Sequence, residues 1–270
     1  MQQHNTAIIS IDHLLKRFDS FTAVNEISLT VGTGEVFAFV GPNGAGKSTT
    51  IKMLITLLSP TAGDVLIANY DLIKESDKIR RVIGYVPQML SVDGSLTAYE
   101  NLLLLAKLYD IPKDERNKRI EDVLTFLDLQ HVKSSLVKTF SGGMIRKLEI
   151  GQAMMHHPQV LFLDEPTTGL DPVARRNVWK HLLELRKLFG TTIFFSTHYM
   201  EEAEEVADRV AIMHQGNIAA VGTVDQLIKQ TKKPNATLED AFIYFTGTTI
   251  QETGNIREIK RMRQTARRLG

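Results

Sequence analysis

The 270-residue sequence predicts an α/β fold, because segments with the pattern of buried strands alternate with segments of helical periodicity. Residues 7–40 alternate apolar and polar side chains and contain a glycine turn at 32–34, which indicates strands. From about residue 96 to 155 the pattern becomes helical, and strand–helix alternation resumes at Val160. We therefore expect a strand-containing core with a helical subdomain inserted into it.

The composition is that of an ordinary globular protein, with 43% apolar and 23% charged residues. The net charge of +1 provides no basic field over the molecule, so no nucleic-acid partner is predicted. The chain has no cysteine, which excludes disulfides, thiol catalysis and zinc–thiolate sites and suits a reducing compartment. The histidines, including the adjacent His156 and His157, lack metal-ligand spacing and are assigned no metal.

No segment has the pattern of a membrane span or a signal peptide. The start of the sequence, Met1–Asn5, is polar, and no apolar run approaches the ~20 residues that cross a bilayer. The leucine-rich run at 101–107 is expected to be the core segment of a helix. If the protein serves a membrane process, another chain must supply the membrane part.

A phosphate-binding loop is the clearest motif in the chain. Residues 41–48 match G-x-x-x-x-G-K-[S/T], between an apparent buried strand at 35–40 and an amphipathic helix that begins near Ser48. A strand, a glycine turn and a helix start surround an anion with backbone N–H groups. The candidate nucleotide-binding residues here are Gly41, Pro42, Asn43, Gly44, Ala45, Gly46, Lys47, Ser48 and Thr49.

Each polar residue of this loop has an expected partner. Lys47 can reach the β- and γ-phosphates of ATP, which makes it a candidate catalytic residue, and the Ser48 hydroxyl can ligate Mg²⁺. Gly41, Gly44 and Gly46 provide conformations that a residue with a Cβ resists. The alternative, a glycine-rich turn that binds nothing, does not explain why strand, loop and helix occur together.

A pair of carboxylates ends a second buried strand. The apolar run from Val160 stops at Asp164 and Glu165, and ligands of doubly wound sheets bind at this edge. Asp164 suits a Mg²⁺ ligand, and Glu165 is the candidate catalytic base that polarises an attacking water. The simpler alternative is a helix-capping acid followed by a turn at Pro166.

Four further motifs follow in an order that resembles one family. Ser141, Gly142, Gly143 and Met144 precede an amphipathic helix, and taken alone they form a serine N-cap with a glycine turn. The others are Gln88 after Tyr85-Val86-Pro87, Asp171 after Gly169-Leu170, and His198 after Ser196-Thr197. Together with the first two motifs, and with Phe18 upstream, this set resembles the ATP-binding-cassette (ABC) family over about residues 7–225.

The resemblance implies a fold and a domain division. The fold is a P-loop NTPase core with a mixed, mainly parallel sheet, an antiparallel β subdomain and an inserted α-helical subdomain. The ABC ATPase domain would span residues 7–225, with the helical subdomain at about 89–157. Residues 226–270 would form a short helical extension and a basic tail.

The resemblance also implies roles for the remaining candidates. Phe18 would stack on adenine, although a plain core phenylalanine is the alternative. Gln88 would touch Mg²⁺ and sense the γ-phosphate, and His198 would bind that phosphate beside Glu165 as a third catalytic residue. Ser141, Gly142, Gly143 and Asp171 would join the nucleotide site of a second copy. The family usually has Gln where this chain has Met144, a change that we expect to leave ATPase activity intact.

The function implied is ATP hydrolysis by one subunit of a transporter, with ATP and Mg²⁺ held between two ATPase subunits, as in a homodimer. The single cassette, Met144, the run at 197–204 and the run at 237–242 resemble the drug- and polysaccharide-export branch of the daunorubicin-resistance type. Its ATPase pairs with a separate membrane permease, which places this chain in the cytoplasm, peripheral on the inner face of the membrane. The alternatives are an importer ATPase and a soluble non-transport ABC ATPase.

Two charged segments have open interpretations. The acidic run at 201–205 is expected to be a solvated helix start that the helix dipole favours. The basic tail at 256–268 has apolar residues at helical spacing, so it could lie on an anionic membrane surface; a solvated disordered end is the other interpretation.

Overall fold

The computed structural model describes residues 7–248, so the predicted basic tail and its possible membrane contact lie outside the described range. The strands in this range are β1 Ala7–Phe18, β2 Phe21–Gly32, β3 Val36–Val40, β4 Ala62–Ile67, β5 Tyr70–Asp71, β6 Ile83–Val86, β7 Val160–Asp164, β8 Thr192–Thr197, β9 Arg209–His214 and β10 Asn217–Gly222. The helices are α1 Lys47–Leu54, α2 Ser76–Val82, α3 Ala98–Leu108, α4 Lys113–Phe126, α5 Gly142–Met154, α6 Pro172–Phe189, α7 Met200–Val206, α8 Val224–Gln230 and α9 Leu238–Thr246.

The central sheet is mixed and mainly parallel. Its strand order is β10-β9-β3-β8-β7-β6, and every neighbouring pair is parallel except the β9–β10 hairpin. That hairpin turns at Gln215 and Gly216, whose φ angles of 49° and 84° are typical of a tight hairpin turn. The carboxyl ends of β3, β8, β7 and β6 therefore lie at one edge, where the candidate residues follow each strand.

The parallel strands are apolar along their whole length because both of their faces are covered. In β3, Phe37 and Phe39 face a core shared with β1, β2 and α1, whereas Val36, Ala38 and Val40 face a core shared with the helical subdomain. This period-two division is what a strand with alternating side chains produces. The two cores hold the sheet rigidly between an antiparallel layer and a helical layer.

The antiparallel layer has the strand order β2-β1-β4-β5. β1 pairs with both β2 and β4 in antiparallel register. The long β1–β2 pair fits the alternating pattern of residues 7–32, whereas the two-residue β5 is too short to have been visible in the sequence. This layer carries Phe18 at the end of β1, upstream of the phosphate loop in the sequence.

The inserted helices α3, α4 and α5 pack on one another beside β6. Thr97 caps α3 with a complete capping box to Glu100, which explains why the helix starts where the leucine-rich pattern does. Gly151 in α5 permits close packing, since a Cβ there would lie 2.7 Å from Leu127 Cδ1 and 2.9 Å from Val123 Cγ1. The predicted α/β class with a mixed sheet, an antiparallel subdomain and helices between β6 and β7 is confirmed.

Within residues 7–248, no helix is both long enough and apolar enough to cross a bilayer. The predicted division at residue 225 stays a prediction. α8 and α9 follow β10 directly, and the buried Leu227, Leu238 and Phe242 belong to the same core as the helical layer. The predicted short helical extension therefore packs on the domain that precedes it.

Candidate functional site

The loop at 41–46 connects β3 to α1 and has no room for side chains at two of its glycines. A Cβ on Gly41 would collide with the carbonyl oxygen of Met213, and one on Gly46 would lie 2.6 Å from the carbonyl oxygen of Ala23. Both residues also have φ angles that L side chains rarely adopt, 156° and 116°. The loop is held by hydrogen bonds from Gly41 N to Thr197 O and from Gly216 N to Ala45 O.

Of the predicted loop residues, Gly41, Pro42, Ala45, Gly46 and Lys47 are buried, Asn43 and Gly44 are exposed, and Ser48 and Thr49 are half-buried in the first turn of α1. The Lys47 ammonium lies back over its own loop, donating to Gly41 O at 2.7 Å and to Pro42 O at 3.2 Å. Burial lowers its pKa below the ordinary value, while the charges of Glu165 and Asp164 oppose that shift. Its charge is therefore directed into the loop, where an anion would be bound.

An all-oxygen group suited to a hard cation forms where α1 meets β7. Ser48 Oγ donates to Asp164 Oδ1 at 3.0 Å, and Ser196 Oγ donates to the same oxygen at 2.6 Å. Hydroxyl and carboxylate oxygens are the ligands that Mg²⁺ prefers, usually with one or two carboxylates and substrate phosphates. Among residues 7–248, no cluster of three or more His, Cys, Asp or Glu side chains could hold a metal by itself. The oxygen atoms of Ser48 and Asp164 therefore fit a Mg²⁺ ion that is also bound by the phosphate oxygens of a nucleotide.

Glu165 is buried at the centre of the site and contacts three other predicted residues. Its Oε1 lies 3.7 Å from Lys47 Nζ and 3.2 Å from His198 Nδ1, and its Oε2 accepts from Gln88 Nε2 at 2.9 Å. Burial alone would raise its pKa, but the adjacent His198 and the charge of Lys47 hold that pKa below its ordinary value. The carboxyl is therefore ionised near neutral pH, as a proton acceptor must be.

The backbone of Glu165 is in the left-handed region, with φ of 50°. Its N–H donates to both the carbonyl and the hydroxyl oxygen of Ser196, each at 3.1 Å. Thr168 Oγ1 also donates to Oε2 at 3.2 Å. A strained conformation of this kind persists only where the surroundings hold it, and it is most common at functional sites.

His198 follows β8 and has unused hydrogen-bonding capacity in the site. Its Nδ1 is buried and close to Glu165, but within the described part of the chain no hydrogen bond of acceptable geometry forms there. Its ring packs against Tyr199 at 4.1 Å between centroids. A phosphate oxygen beside Glu165 would give this nitrogen a partner.

Gln88 joins the site to the helical layer. Its side chain bonds Glu165, while its carbonyl oxygen and that of Pro87 accept from the Arg146 guanidinium of α5 at 3.2 Å and 2.7 Å. Arg146 is itself buried against Glu149, at 2.9 Å. Gln88 is therefore connected by hydrogen bonds to α5, the helix that begins at the Ser-Gly-Gly motif.

Phe18 is an exposed aromatic residue and not a core phenylalanine, since 43% of its surface is accessible. Lys16 Nζ lies 5.0 Å from the centre of its ring and also donates to Ser59 O at 2.7 Å. An accessible ring is the feature that stacking on a base requires. Its role as the adenine contact stays a prediction.

The Ser-Gly-Gly motif lies at the exposed start of α5, with Ser141 as N-cap accepting from Met144 N at 3.3 Å. Its two glycines face the beginning of α6. A Cβ on Gly143 would lie 3.0 Å from Ala174 Cβ, and one on Gly142 would lie 3.4 Å from Leu170 Cδ2. Asp171 caps α6 in turn, and the hydrogen bond from Ala174 N lowers its pKa. Ser141, Gly142 and Asp171 are thus exposed, and Gly143 is half-buried beside them.

The sequence did not reveal every residue of the site. Ser196 bonds both Asp164 and the Glu165 backbone, and the only local indication was a polar residue near the end of an otherwise apolar strand.

One expectation is wrong in part. Glu201, Glu204 and Glu205 are exposed, but Glu202 is buried, so the acidic run is not uniformly solvated.

Comparison with known proteins identifies relatives over most of the chain. Residues 24–168 match the family model described as ABC transporter. The linearmycin resistance ATP-binding protein LnrL of Bacillus subtilis is 39% identical over 82% of this chain and 70% of its own length. The daunorubicin/doxorubicin resistance ATP-binding protein DrrA of Streptomyces peucetius is 40% identical over 84% of this chain and 68% of its own.

A solved structure described as the ATP binding subunit of an ABC transporter has the same fold. Its TM-score is 0.79 at 31% identity, and the match covers 88% of this chain and 99% of that one. The resemblance noted in the motifs is therefore supported over the whole domain, including the order of the layers.

Replacing Gly41 tests whether the loop binds a nucleotide. Gly41→Ala should weaken ATP binding at least about tenfold, because the added Cβ displaces the loop from Met213 and a cost of ~1.4 kcal/mol has that effect. Gly190→Ala is the matched control, since Gly190 also has a positive φ, 68°, but nothing within 4 Å of its Cβ position. Equilibrium titration with a fluorescent ATP analogue measures both; equal affinities of the two variants would contradict the assignment.

Proposed function

We propose that this chain, which belongs to the ABC transporter family, is the ATP-hydrolysing subunit of an exporter that acts with a separate membrane permease. The observation that carries the proposal is the Glu165 carboxylate, buried among Lys47, His198 and Gln88 at the open edge of a parallel sheet. The family binds and hydrolyses ATP. We infer export, and not import, because relatives are named for resistance to linearmycin, daunorubicin and doxorubicin.

In the proposed reaction, ATP is the substrate and its γ-phosphate enters the space between the loop and Glu165. Lys47 leaves its carbonyl partners and neutralises the phosphate charge, because a phosphate oxygen is a stronger acceptor than a peptide carbonyl. His198 Nδ1 lies 3.2 Å from Glu165 Oε1 but forms no hydrogen bond with the described residues, and it would gain a phosphate oxygen as acceptor. Glu165 orients the attacking water and accepts its proton, and its lowered pKa keeps it in the ionised form that this step needs.

Mg²⁺ would be held by Ser48 and Asp164, and the Gln88 amide oxygen is the third proposed ligand. The ion would neutralise charge on the β- and γ-phosphates. Ser196 keeps the Asp164 carboxylate in place from the neighbouring strand. The role of this chain in metal binding is thus to present two oxygens, one from the first turn of α1 and one from the end of β7.

A second copy is part of the proposal. Ser141, Gly142 and Gly143 are at an exposed helix start, separate from the cluster around Glu165, so they are available to a nucleotide bound on another subunit. Asp171 lies beside them at the start of α6. Two copies that face each other would enclose two ATP molecules, and hydrolysis would release the contact.

The permease is proposed to dock on the groove between α3, α5 and the end of β6. This groove has a volume of about 590 Å³ and lies next to the segment after β6 that carries Gln88. Leu57 and Leu104 line it and are 69% and 48% exposed. An occupied groove would place the chain on the inner face of the membrane and transmit the nucleotide state through Pro87 and Gln88.

Glu165→Gln should bind ATP but hydrolyse it about 100-fold more slowly or worse, because an amide of the same size accepts no proton from water. With hydrolysis blocked, the ATP-bound dimer should accumulate. Phosphate release measures the first effect, and gel filtration at saturating ATP and Mg²⁺ measures the second. Wild-type turnover by this variant would contradict the assignment of Glu165 as the catalytic base. In gel filtration, wild-type protein without nucleotide provides the monomer reference.

Docking is tested by affinity capture from detergent-solubilised membranes of the source cells. The full chain should retain a polytopic permease, and Leu104→Glu should lose it because the charge enters the apolar wall of the groove. Leu188→Glu, at a residue of α6 that is 65% exposed and outside the groove, should retain it. Recovery of a substrate-binding protein with the permease would favour the importer alternative. Ribosomes or DNA-processing proteins without any membrane protein would contradict transport.

A further inference from the structure

Glu202 is a buried carboxylate within an otherwise exposed acidic run. Only 4% of its surface is accessible, while Glu201, Glu204 and Glu205 on the same helix are exposed. Its Oε1 accepts from the Thr167 hydroxyl and from Trp179 Nε1, the latter at 2.6 Å. Burying a carboxylate is costly unless it is hydrogen-bonded, so a residue chosen only for solubility would not be found here.

The two donors belong to different segments of the candidate site. Thr167 is two residues after Glu165 and is almost fully buried. Trp179 is in α6, whose first turn is capped by Asp171. Glu202 is in α7, which begins two residues after His198. One carboxylate oxygen therefore links the loop after Glu165, helix α6 and the helix after His198.

Two of these segments depend on contacts with the rest of the fold, and the Glu202 hydrogen bonds are among those contacts. Helix α7 has seven residues and is too short to be stable by itself. Glu165 has the left-handed backbone conformation described above, which is strained in a non-glycine residue and needs support. Thr167 follows it closely enough that fixing Thr167 also fixes the path of Glu165.

A second contact runs between the same elements. The Arg175 guanidinium of α6 lies 4.7 Å from the centre of the Tyr199 ring, and Tyr199 packs against His198. The Trp179 ring packs edge-on against Phe195 of β8 at 4.6 Å. Helix α6 is therefore already seated on β8, and the Glu202 hydrogen bonds fix α7 and the Thr167 loop to it.

We propose that Glu202 is a positioning residue for hydrolysis, which acts by holding Glu165 and His198 at their mutual distance of 3.2 Å. This inference rests on the proposed function, since it assigns Glu202 to the water-activating step at Glu165. The proposed role affects the geometry of Glu165 and His198 and not the affinity for nucleotide, because neither Thr167 nor Trp179 is in the phosphate loop. Loss of the hydrogen bonds should therefore lower kcat and leave KM for ATP unchanged.

The chemistry of the buried carboxyl distinguishes two substitutions. In Glu202→Gln, the amide oxygen can replace Oε1 and accept from both donors, while the NH₂ group replaces Oε2. Within the range that the structure describes, Oε2 has no hydrogen-bond partner, so little is lost there. In Glu202→Leu, Thr167 and Trp179 become buried donors without an acceptor.

Steady-state ATPase assays on the purified full chain should separate these variants. Glu202→Leu should reduce kcat about 10- to 100-fold with KM for ATP retained, which is the cost of a displacement of about 1 Å at a reacting centre. Glu202→Gln should restore most of kcat. Glu205→Leu, which removes an exposed acid from the same helix, should behave as wild type.

If Glu202→Leu does not fold, Thr167→Val and Trp179→Phe each remove one donor and should each lower kcat without changing KM. Wild-type kcat in every variant of the three residues, or equal losses in the Gln and Leu variants of Glu202, would overturn the inference. An active Glu165→Gln would overturn the proposed function itself. An inactive Glu165→Gln together with a fully active Glu202→Leu would reject only the role of Glu202.

Discussion

The buried carboxylate of Glu165 is the constraint on which the rest of the site depends. A charge taken out of water must be paired and hydrogen-bonded, and breaking such an arrangement from one side costs several kcal/mol. Glu165 meets that requirement with groups from four separate segments, through Lys47, Gln88, Thr168 and His198. The phosphate loop, the end of β6, the loop after β7 and the end of β8 are therefore held together by one side chain.

The same dependence explains how a nucleotide could change the shape of the molecule. A γ-phosphate brings negative charge close to Glu165 and competes with it for Lys47 and His198. Gln88 bonds Glu165 through its side chain and Arg146 through its backbone, so a rearranged carboxylate alters the attachment of α5. Because α5 begins at Ser141, the proposed contact with a second copy would respond to the nucleotide in the first. The groove beside Gln88 would carry that response to a permease.

The parts of this arrangement that could be predicted from the sequence are those that depend on local pattern. The loop at 41–48 and the acids at 164–165 are each contained in a few residues, and the strands that precede them are apolar on both faces. The partners of those residues were harder to predict. Ser196 reaches Asp164 only because β7 and β8 are parallel neighbours in a register that pairs these two residues. No pattern within one strand contains that register.

Glu202 shows the same limit more sharply. Acidic residues at a helix start are usually exposed, and Glu202 is locally indistinguishable from Glu201. It is buried where Trp179 of α6 and Thr167 donate to it, contacts that exist only in the assembled fold. For Phe18 the sequence left two interpretations open, since an aromatic residue at the end of a strand could equally have been in the core, and only the fold shows that its ring is exposed.

The central proposal is that two copies of this chain share each ATP. A crystal structure of the Glu165→Gln chain grown with ATP and Mg²⁺ tests it most directly. We expect two ATP molecules between two subunits, each γ-phosphate contacted by Lys47 and His198 of one subunit and by Ser141 of its partner. A structure with ATP in the loop of one chain and Ser141 remote from every nucleotide, in a crystal that contains no such dimer, would contradict the claim.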